Sequence, residues 1–364
     1  MSHLNYISAK QAVYLILTCI LATVDVFLPA EVAKYAGRDA WMSALAAPVI
    51  GYLIYLIIVK LCLLFPDLSL AGFNRLLLGR YLGAAVTILY VLTFLVLSTS
   101  AVMQFSIIMG SAFKPESPPY VWHLVILVPA LYVTYKGIAV PARMNELLLP
   151  MGLLLLLSVV LLNIPEIDLQ EFLPVFYDGY LPPVMGAIIM GSTLGYSMLL
   201  LALVPIISKK EKLIQQGPLA FTMVALALLA GTAAIGIFGP ILTSMTLFPA
   251  LQMIRNIDIG FLTRLDALIV TVWYTGFFVF LCAHTFAAAS LTRDLFNLRG
   301  YRFLMVIYYI LVLIGANVYI TNVPLTRWLL NVPLAILLYA MALVIPLLLY
   351  LVAKLRGYPR QQTK

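Results

Sequence analysis

Ten stretches of mainly apolar residues follow one another along the chain, and short polar connections separate them. With about 20 apolar residues needed for each membrane crossing, their approximate limits are Gln11–Ala30, Trp41–Phe65, Leu82–Ala112, Tyr120–Val140, Met144–Ile164, Leu181–Ser208, Gly217–Ile241, Leu265–Leu291, Phe303–Ile320 and Leu330–Leu351. The pattern predicts an all-α integral membrane protein in which ten transmembrane helices form one transmembrane domain over residues 1–364.

The order of the spans permits an internal repeat. Each half has an odd number of spans, so the second half enters the membrane from the opposite face. We predict inverted repeats over about 8–164 and about 178–352, followed by a basic tail at 353–364. The first span has Pro29 after a polar stretch, and the sixth has Gly191-Ser-Thr-Leu-Gly-Tyr196 at its middle. Because paired breaks in corresponding spans indicate the ligand site of a transporter, we expect helices 1 and 6 to be interrupted.

The candidate ligand-binding residues lie on spans one, three, six and eight: Ala22, Thr23, Asp25, Phe27, Ser98, Gly191, Ser192, Thr193, Gly195, Tyr196 and His284. Asp25 is a carboxylate inside a span, where it either meets a ligand ammonium or a cation, or is a protonated or capping group. His284 is either a neutral imidazole that donates to a helix carbonyl or part of a proton relay. Gly191 and Gly195 also match the small-xxx-small packing motif. Hydroxyl side chains at such depth often bond their own helix backbone.

Composition excludes a soluble globular domain. Hydrophobic residues make up 64% of the chain and the mean hydropathy is +1.07, whereas soluble domains are about half apolar. The net charge of +8 is dispersed between spans and forms no patch, which argues against a nucleic-acid partner and for a lipid bilayer.

The basic residues instead predict orientation, because short cytoplasmic loops are enriched in Lys and Arg. With the N-terminus inside, only six of the 22 basic residues lie outside: Lys34, Arg38, Lys114, Arg255, Arg264 and Arg327. Both termini are therefore predicted to be cytoplasmic. The outer connections 165–180 and 242–264 are then either interfacial loops with aromatic anchors or a gate over a cavity.

No enzymatic chemistry is predicted. The three cysteines fall inside spans without metal-ligand spacing, and no nucleophile–base pair, phosphate loop or His/Cys cluster occurs in the sequence. We therefore predict neither a cofactor nor a metal site.

A set of short motifs, in order along nearly the whole chain, resembles the B subunit of spore germinant receptors, within the amino acid/polyamine/organocation transporter superfamily. The motifs are Ile7-Ser8-x-x-Gln11, Pro29, Ala36-Gly-Arg-Asp-Ala-Trp41, Lys136-Gly137 with Arg143, Phe172-x-Pro174, and Arg264-Leu-Asp266-Ala with Trp273. The resemblance implies a leucine-transporter-type fold in the inner membrane of a bacterial endospore. It also implies recognition of a nutrient such as an amino acid or sugar, beside an A subunit and a lipid-anchored C subunit.

Two departures from the resemblance leave the identity of the nutrient open. The chain has Ala22-Thr-Val-Asp25 where relatives usually have a glycine, and it lacks the glutamate that many relatives carry near Gly195-Tyr-Ser197.

Three functions fit this sequence: a nutrient-sensing subunit, a proton- or sodium-coupled amino acid transporter, and a structural channel subunit. A carrier of this superfamily would favour a coupling group in span five. That span has no lysine, and its acid, Glu146, lies at the predicted cytoplasmic edge. We therefore favour the sensor.

Overall fold

The computed structural model describes residues 6–257, 266–321 and 332–358, and within them the side chains other than those at 24–27, 112, 266–267 and 319–321. Seven helical stretches in these ranges are long and apolar enough to cross a membrane: Leu28–Leu64, Arg80–Ser111, Ala139–Glu166, Leu181–Ile206, Lys212–Met245, Leu268–Phe296 and Val332–Leu355. Two shorter apolar helical stretches, Ala9–Thr23 and Arg302–Val318, end where the side chains at 24–27 and 319–321 are not described, and the helices themselves continue beyond these points. The chain is therefore a multi-pass membrane protein, and the count of ten spans stays a prediction.

The described helices are α1 Ala9–Ala36, α2 Ala40–Leu64, α3 Leu70–Leu78, α4 Arg80–Ile108, α5 Pro119–Lys136, α6 Ala139–Asn163, α7 Leu181–Thr193, α8 Leu199–Leu203, α9 Lys212–Met245, α10 Pro249–Arg255, α11 Asp266–Phe296, α12 Arg302–Thr321, α13 Val332–Tyr339 and α14 Ile345–Leu355. A π-helical turn, Ala340–Val344, joins α13 to α14. Two short strands, β1 Ile7–Ser8 and β2 Ile207–Ser208, pair in parallel. Each of the ten predicted spans overlaps one of these helices or a series of them.

The start of α1 is fixed by a capping box. The Ser8 hydroxyl accepts a bond from the Gln11 N–H, and the Gln11 side-chain oxygen accepts one from the Ser8 N–H, at 3.1 and 2.8 Å. These two bonds satisfy backbone donors that a helix otherwise leaves free. The helix ends at Gly37, whose φ of 53° is accessible mainly to glycine.

The predicted interruption of the first span is not observed. Helix α1 runs from Ala9 to Ala36 with Pro29 inside it. A proline removes one intrahelical donor, which bends a helix without unwinding it when the neighbouring residues keep helical geometry. No glycine lies between Ala22 and Leu28 to favour another conformation.

The sixth span is interrupted as predicted. Helix α7 ends at Thr193, a 3₁₀ segment covers Leu194–Met198, and the five-residue helix α8 follows before a second 3₁₀ turn at Val204–Ile206. Glycine and hydroxyl residues have weak helix propensity, and Pro205 cannot donate to the ladder. These residues explain why the α-helix does not continue.

Helix α1 lies at the centre of the fold, where it packs against α6, α7, α9 and α11, while α4 packs against α11 and α12. The contact between α1 and α11 is close, because a β-carbon built on Gly276 would stand 3.0 Å from the Ala22 β-carbon. Small residues at such crossings let membrane helices approach each other. The predicted site on span one is therefore enclosed by other helices.

The connection between α6 and α7 is folded back onto the helices. The Asp168 N–H donates to the Gly236 carbonyl on α9 at 2.8 Å. The Asp39 carboxylate accepts the Phe176 N–H at 3.1 and 3.2 Å, and the Arg38 guanidinium donates to the Leu173 carbonyl. These bonds fix this connection over one end of α9.

Candidate ligand-binding site

Two of the predicted site residues meet where α1 faces the 3₁₀ segment Leu194–Met198. Thr23 and Tyr196 are both buried there. The Thr23 hydroxyl donates to the Ile20 carbonyl at 3.0 Å, and the Tyr196 side chain interacts with Thr23. The structure therefore brings the first and sixth spans together at these residues.

His284 lies in a buried aromatic cluster between α4, α11 and the 3₁₀ segment. Its ring stacks on Phe280 with centroids 4.0 Å apart, and the Tyr196 and Phe94 rings lie at 6.0 and 5.6 Å. The His284 Nδ1 atom is 2.9 Å from the Phe280 carbonyl, which can only accept, so Nδ1 carries the proton. A neutral ring then has a lone pair on Nε2, which has no hydrogen-bonding partner among the described residues.

The predicted hydroxyl residues donate to their own helices. Ser98, Ser192 and Thr193 bond the carbonyls three or four residues before them, at 2.7–2.8 Å. A hydroxyl that donates in this way still has lone pairs that can accept a hydrogen bond. These side chains therefore offer acceptors, not donors, to a ligand.

Gly191 and Gly195 face the last helices of the chain. A β-carbon on Gly195 would stand 3.1 Å from the Ala342 β-carbon and 3.4 Å from the Leu338 carbonyl oxygen. One on Gly191 would stand 2.6 Å from the Tyr339 hydroxyl. These are contacts of helix packing, the alternative that the small-xxx-small spacing allows.

Two predicted site residues, Asp25 and Phe27, are part of α1 by their backbone, but their side chains lie outside the described residues. Their assignment to the site stays a prediction.

A small cavity of about 40 Å³, here called the inner cavity, lies between α1, α6 and α11. Among the predicted site residues whose side chains the structure describes, only Ala22 lines it. The full lining is Thr18, Leu21, Ala22, Asn145, Leu148, Leu149, Gly152, Leu153, Leu156, Val272, Trp273, Thr275 and Gly276. The cavity is thus adjacent to the same turn of α1 that meets the 3₁₀ segment on its other side.

Two buried donors of the inner cavity are unpaired among the described residues. The side-chain oxygen of Asn145 accepts a 2.8 Å hydrogen bond from the Thr18 hydroxyl. The Nδ2 group of Asn145 and the indole N–H of Trp273 have no hydrogen-bonding partner in the described part of the chain. Asn145 is 0% and Trp273 2% exposed. Because buried donors are nearly always satisfied, this cavity favours a group that brings hydrogen-bond acceptors.

Sequence reasoning missed Thr18 and Asn145 as site residues and used Trp273 only as a motif position. One signal was available for Asn145, an amide two residues before the apolar run Leu147–Leu149, because polar side chains inside spans usually face a cavity or another helix. No signal in the sequence pairs it with Thr18, which is 127 residues away.

The start of α1 is attached to α6 by a second polar contact. The Gln11 amide nitrogen donates to a Glu146 carboxylate oxygen at 3.0 Å while the same side chain completes the capping box. Parallel pairing of Ile7 with Ile207 attaches the same end of the chain to the end of span six. Movement of this end of α1 away from α6 requires the Gln11–Glu146 bond to break, and movement away from the end of span six requires the strand pairing to break.

The family follows from the sequence of this membrane domain. Residues 6–322 match the profile of the spore germination protein family. The chain belongs to this family. It is 24% identical over 294 residues to spore germination protein YndE of Bacillus subtilis (strain 168), covering 78% of this chain and 79% of the relative. It is 27% identical over 299 residues to spore germination protein KB of the same organism, covering 80% and 79%.

The fold of this spore germination protein is similar to that of a solved transporter. Mhp1, a nucleobase-cation-symport-1 family transporter in a closed conformation with bromovinylhydantoin bound, superposes with a TM-score of 0.68 at 14% identity, over 98% of this chain and 94% of Mhp1. The all-α, leucine-transporter-type fold is thereby confirmed, and an inverted repeat is consistent with it. The family is that of spore germination proteins, and the fold is one that solved transporters have.

Proposed function

We propose that this chain is the nutrient-sensing subunit of a spore germination receptor. It binds a small nutrient, an amino acid or a sugar, against α1 between the 3₁₀ segment of span six and the inner cavity. It signals to A and C partner subunits in the spore inner membrane, with both of its termini cytoplasmic. Membership of the spore germination protein family and the transporter-type fold support the proposal.

One observation carries the location of the site. The turn of α1 from Thr18 to Thr23 has the interrupted span on one side and, on the other, a cavity with the unpaired Asn145 and Trp273 donors. A carboxylate, a carbonyl or a sugar hydroxyl supplies the acceptors that these donors need. A cavity of about 40 Å³ holds one such polar group, and the rest of the ligand requires the surrounding helices to separate. The hydroxyl lone pairs and the His284 Nε2 atom accept from a ligand amine or hydroxyl.

Binding at this turn gives a physical route to a signal. A ligand that contacts α1, α6 and α11 together stabilises the arrangement in which these helices are packed. A ligand shifts a conformational equilibrium only by its difference in affinity between the two states. The attachment of α1 to α6 through Gln11 and Glu146 is the contact that such a shift would strengthen or release.

The direct test is a thermal-shift screen of amino acids, sugars and nucleosides on the purified full chain in lipid nanodiscs. A ligand at 100 times its Kd adds about 2.7 kcal/mol to the stability of the state that binds it, so one chemical class should raise the melting temperature. Failure of every class to do so, also with A and C subunits added, would contradict the proposal.

The similarity of the fold to that of a solved transporter also supports an alternative function, that of a proton- or sodium-coupled amino acid transporter. Vesicles that contain the purified chain distinguish the two functions. A coupled transporter accumulates labelled ligand inside the vesicles when a proton or sodium gradient is imposed. A channel subunit lets the ligand concentrations inside and outside become equal without an ion gradient. A sensor binds the ligand, and no uptake is measured.

A further inference from the structure

A second and larger cavity, here called the lateral cleft, lies between α6, α9, the start of α2 and the connection after α6. Its volume is about 770 Å³, within the range of about 300–1,000 Å³ that holds drug-sized ligands. Apart from Thr232 its lining is aliphatic and aromatic, and it includes Trp41, Leu156, Leu157, Leu173 and Leu226.

The chemistry of this lining selects a hydrocarbon. Among the described lining residues, Thr232 has the one hydroxyl, and that hydroxyl already donates to the Leu229 carbonyl at 2.7 Å. A polar nutrient would lose its hydration here and recover few hydrogen bonds, which is unfavourable. An aliphatic chain has no such cost.

The cleft opens towards lipid. Leu157 on α6 and Leu226 on α9 both line it, and they are 54% and 64% exposed on the outer surface of the helices. In a membrane-spanning helix, side chains on that surface meet acyl chains. Leu157 lies six residues before the end of α6 at Asn163, which is a distance of about 9 Å along the helix at 1.5 Å per residue. The opening of the cleft is therefore inside the hydrocarbon core, close to the membrane surface at which α6 ends.

A cation and an indole lie at the interfacial end. The Arg38 guanidinium donates to the carbonyl of the lining residue Leu173, and Trp41 lines the cleft one turn further along the chain. Arginine binds phosphate through its planar fork of donors, and tryptophan is typical of the headgroup level. Of the nearby carboxylates, Asp39 and Asp168 accept the Phe176 and Gln170 N–H groups. A third, Glu171, lies two residues before Leu173 and beside Gly239 of α9.

We propose that the lateral cleft is a phospholipid site: one acyl chain lies between α6 and α9, and the headgroup phosphate meets Arg38. The site is separate from the nutrient site, but Leu153 and Leu156 line both cavities. A bound chain therefore contacts the same two leucines that form one wall of the inner cavity.

The test uses the full chain in nanodiscs that contain a phospholipid with a diazirine in its acyl chain, followed by peptide mapping of the cross-links. Cross-links should concentrate on the segments around Leu157 and Leu226. The variant Ala230→Phe fills the cleft and should lower this labelling several-fold. Ala225→Phe is the matched control, because Ala225 is a half-buried alanine of the same helix that does not line the cleft.

A second measurement keeps the test decisive if Ala230→Phe fails to fold. Native mass spectrometry of the detergent-purified chain should show a retained phospholipid. Arg38→Gln should lower the occupancy of this lipid more than Lys34→Gln does. Lys34 is the control because it is a cation one turn earlier that already pairs with Glu31. Labelling spread evenly over the lipid-facing helices, or equal occupancy in the two variants, would overturn the proposal. Amine-containing and anionic phospholipids tested separately show which headgroup is held.

Discussion

The Tyr339 hydroxyl lies 2.6 Å from the point where a β-carbon on Gly191 would stand, and it donates to the Ile188 carbonyl at 2.7 Å. A glycine at position 191 is thus required by the contact with α13, which belongs to the last predicted span. Its role in the fold is close packing, whatever else the interrupted span does.

This contact predicts a compensating pair of substitutions. Gly191→Ala should destabilise the protein by about 1–3 kcal/mol, the usual effect of overpacking, because the Tyr339 hydroxyl has to leave Ile188. Tyr339→Phe removes the clashing oxygen, so the double variant should be more stable than the sum of the two single effects predicts. Unfolding of the four proteins in micelles measures this coupling; strict additivity would contradict the packing account.

The attachment of α1 to α6 predicts a second coupling. In a double-mutant cycle of Gln11→Ala and Glu146→Ala, we expect a coupling energy of roughly 1 kcal/mol, because the bond is partly buried and its acceptor is charged. The Lys34 and Glu31 pair within α1 is the control, since exposed pairs on a helix contribute about 0.3–0.5 kcal/mol. A Gln11–Glu146 coupling no larger than the control value would mean that the contact does not hold the two helices together.

Orientation can be tested with cysteine labelling. The native Cys19, Cys62 and Cys282 are buried, so an impermeant thiol reagent should report on introduced residues. Asp178→Cys should be labelled from outside in intact cells, and Glu211→Cys only after permeabilisation, because both positions are exposed on connections predicted to lie on opposite sides. The reverse pattern would invert the predicted topology.

Asp25 gives a prediction that rests on the sequence alone. If its carboxylate pairs with a ligand ammonium, Asp25→Asn should weaken binding of an amino acid by a few kcal/mol, the effect of leaving one buried partner uncompensated. Binding of an uncharged sugar should change little. Equal amino acid affinity in both proteins at pH 7, measured by calorimetry, would make Asp25 a structural group.

Much of the fold was predictable because length and hydropathy alone define a membrane helix. The ten apolar stretches overlap the observed helices, whereas α3 and α10 were missed because helices of nine and seven residues in polar connections have no such signal. The break at span six follows from weak helix formers, while the polar stretch and Pro29 of span one were insufficient evidence for a break there.

The site was harder to predict, since it depends on which faces of distant helices meet. Tyr196 and Thr23 were predicted together and are found together. The inner cavity is formed by residues of α1, α6 and α11, and nothing along the sequence indicates that Thr18, Asn145 and Trp273 line one space. Hydropathy predicts which residues lie inside a span, but it does not predict the rotation of each helix about its axis.

The central claim is that the nutrient binds beside α1 and satisfies the unpaired donors of the inner cavity. Its most direct test is calorimetric affinity for the nutrient found in the screen, in Asn145→Leu and in Asn163→Leu. Both are buried asparagines of α6, but the Asn163 amide donates to the Val159 and Met253 carbonyls. The account predicts that Asn145→Leu weakens binding at least tenfold while Asn163→Leu, though less stable, binds as the wild type does. Unchanged affinity in a folded Asn145→Leu protein would contradict it.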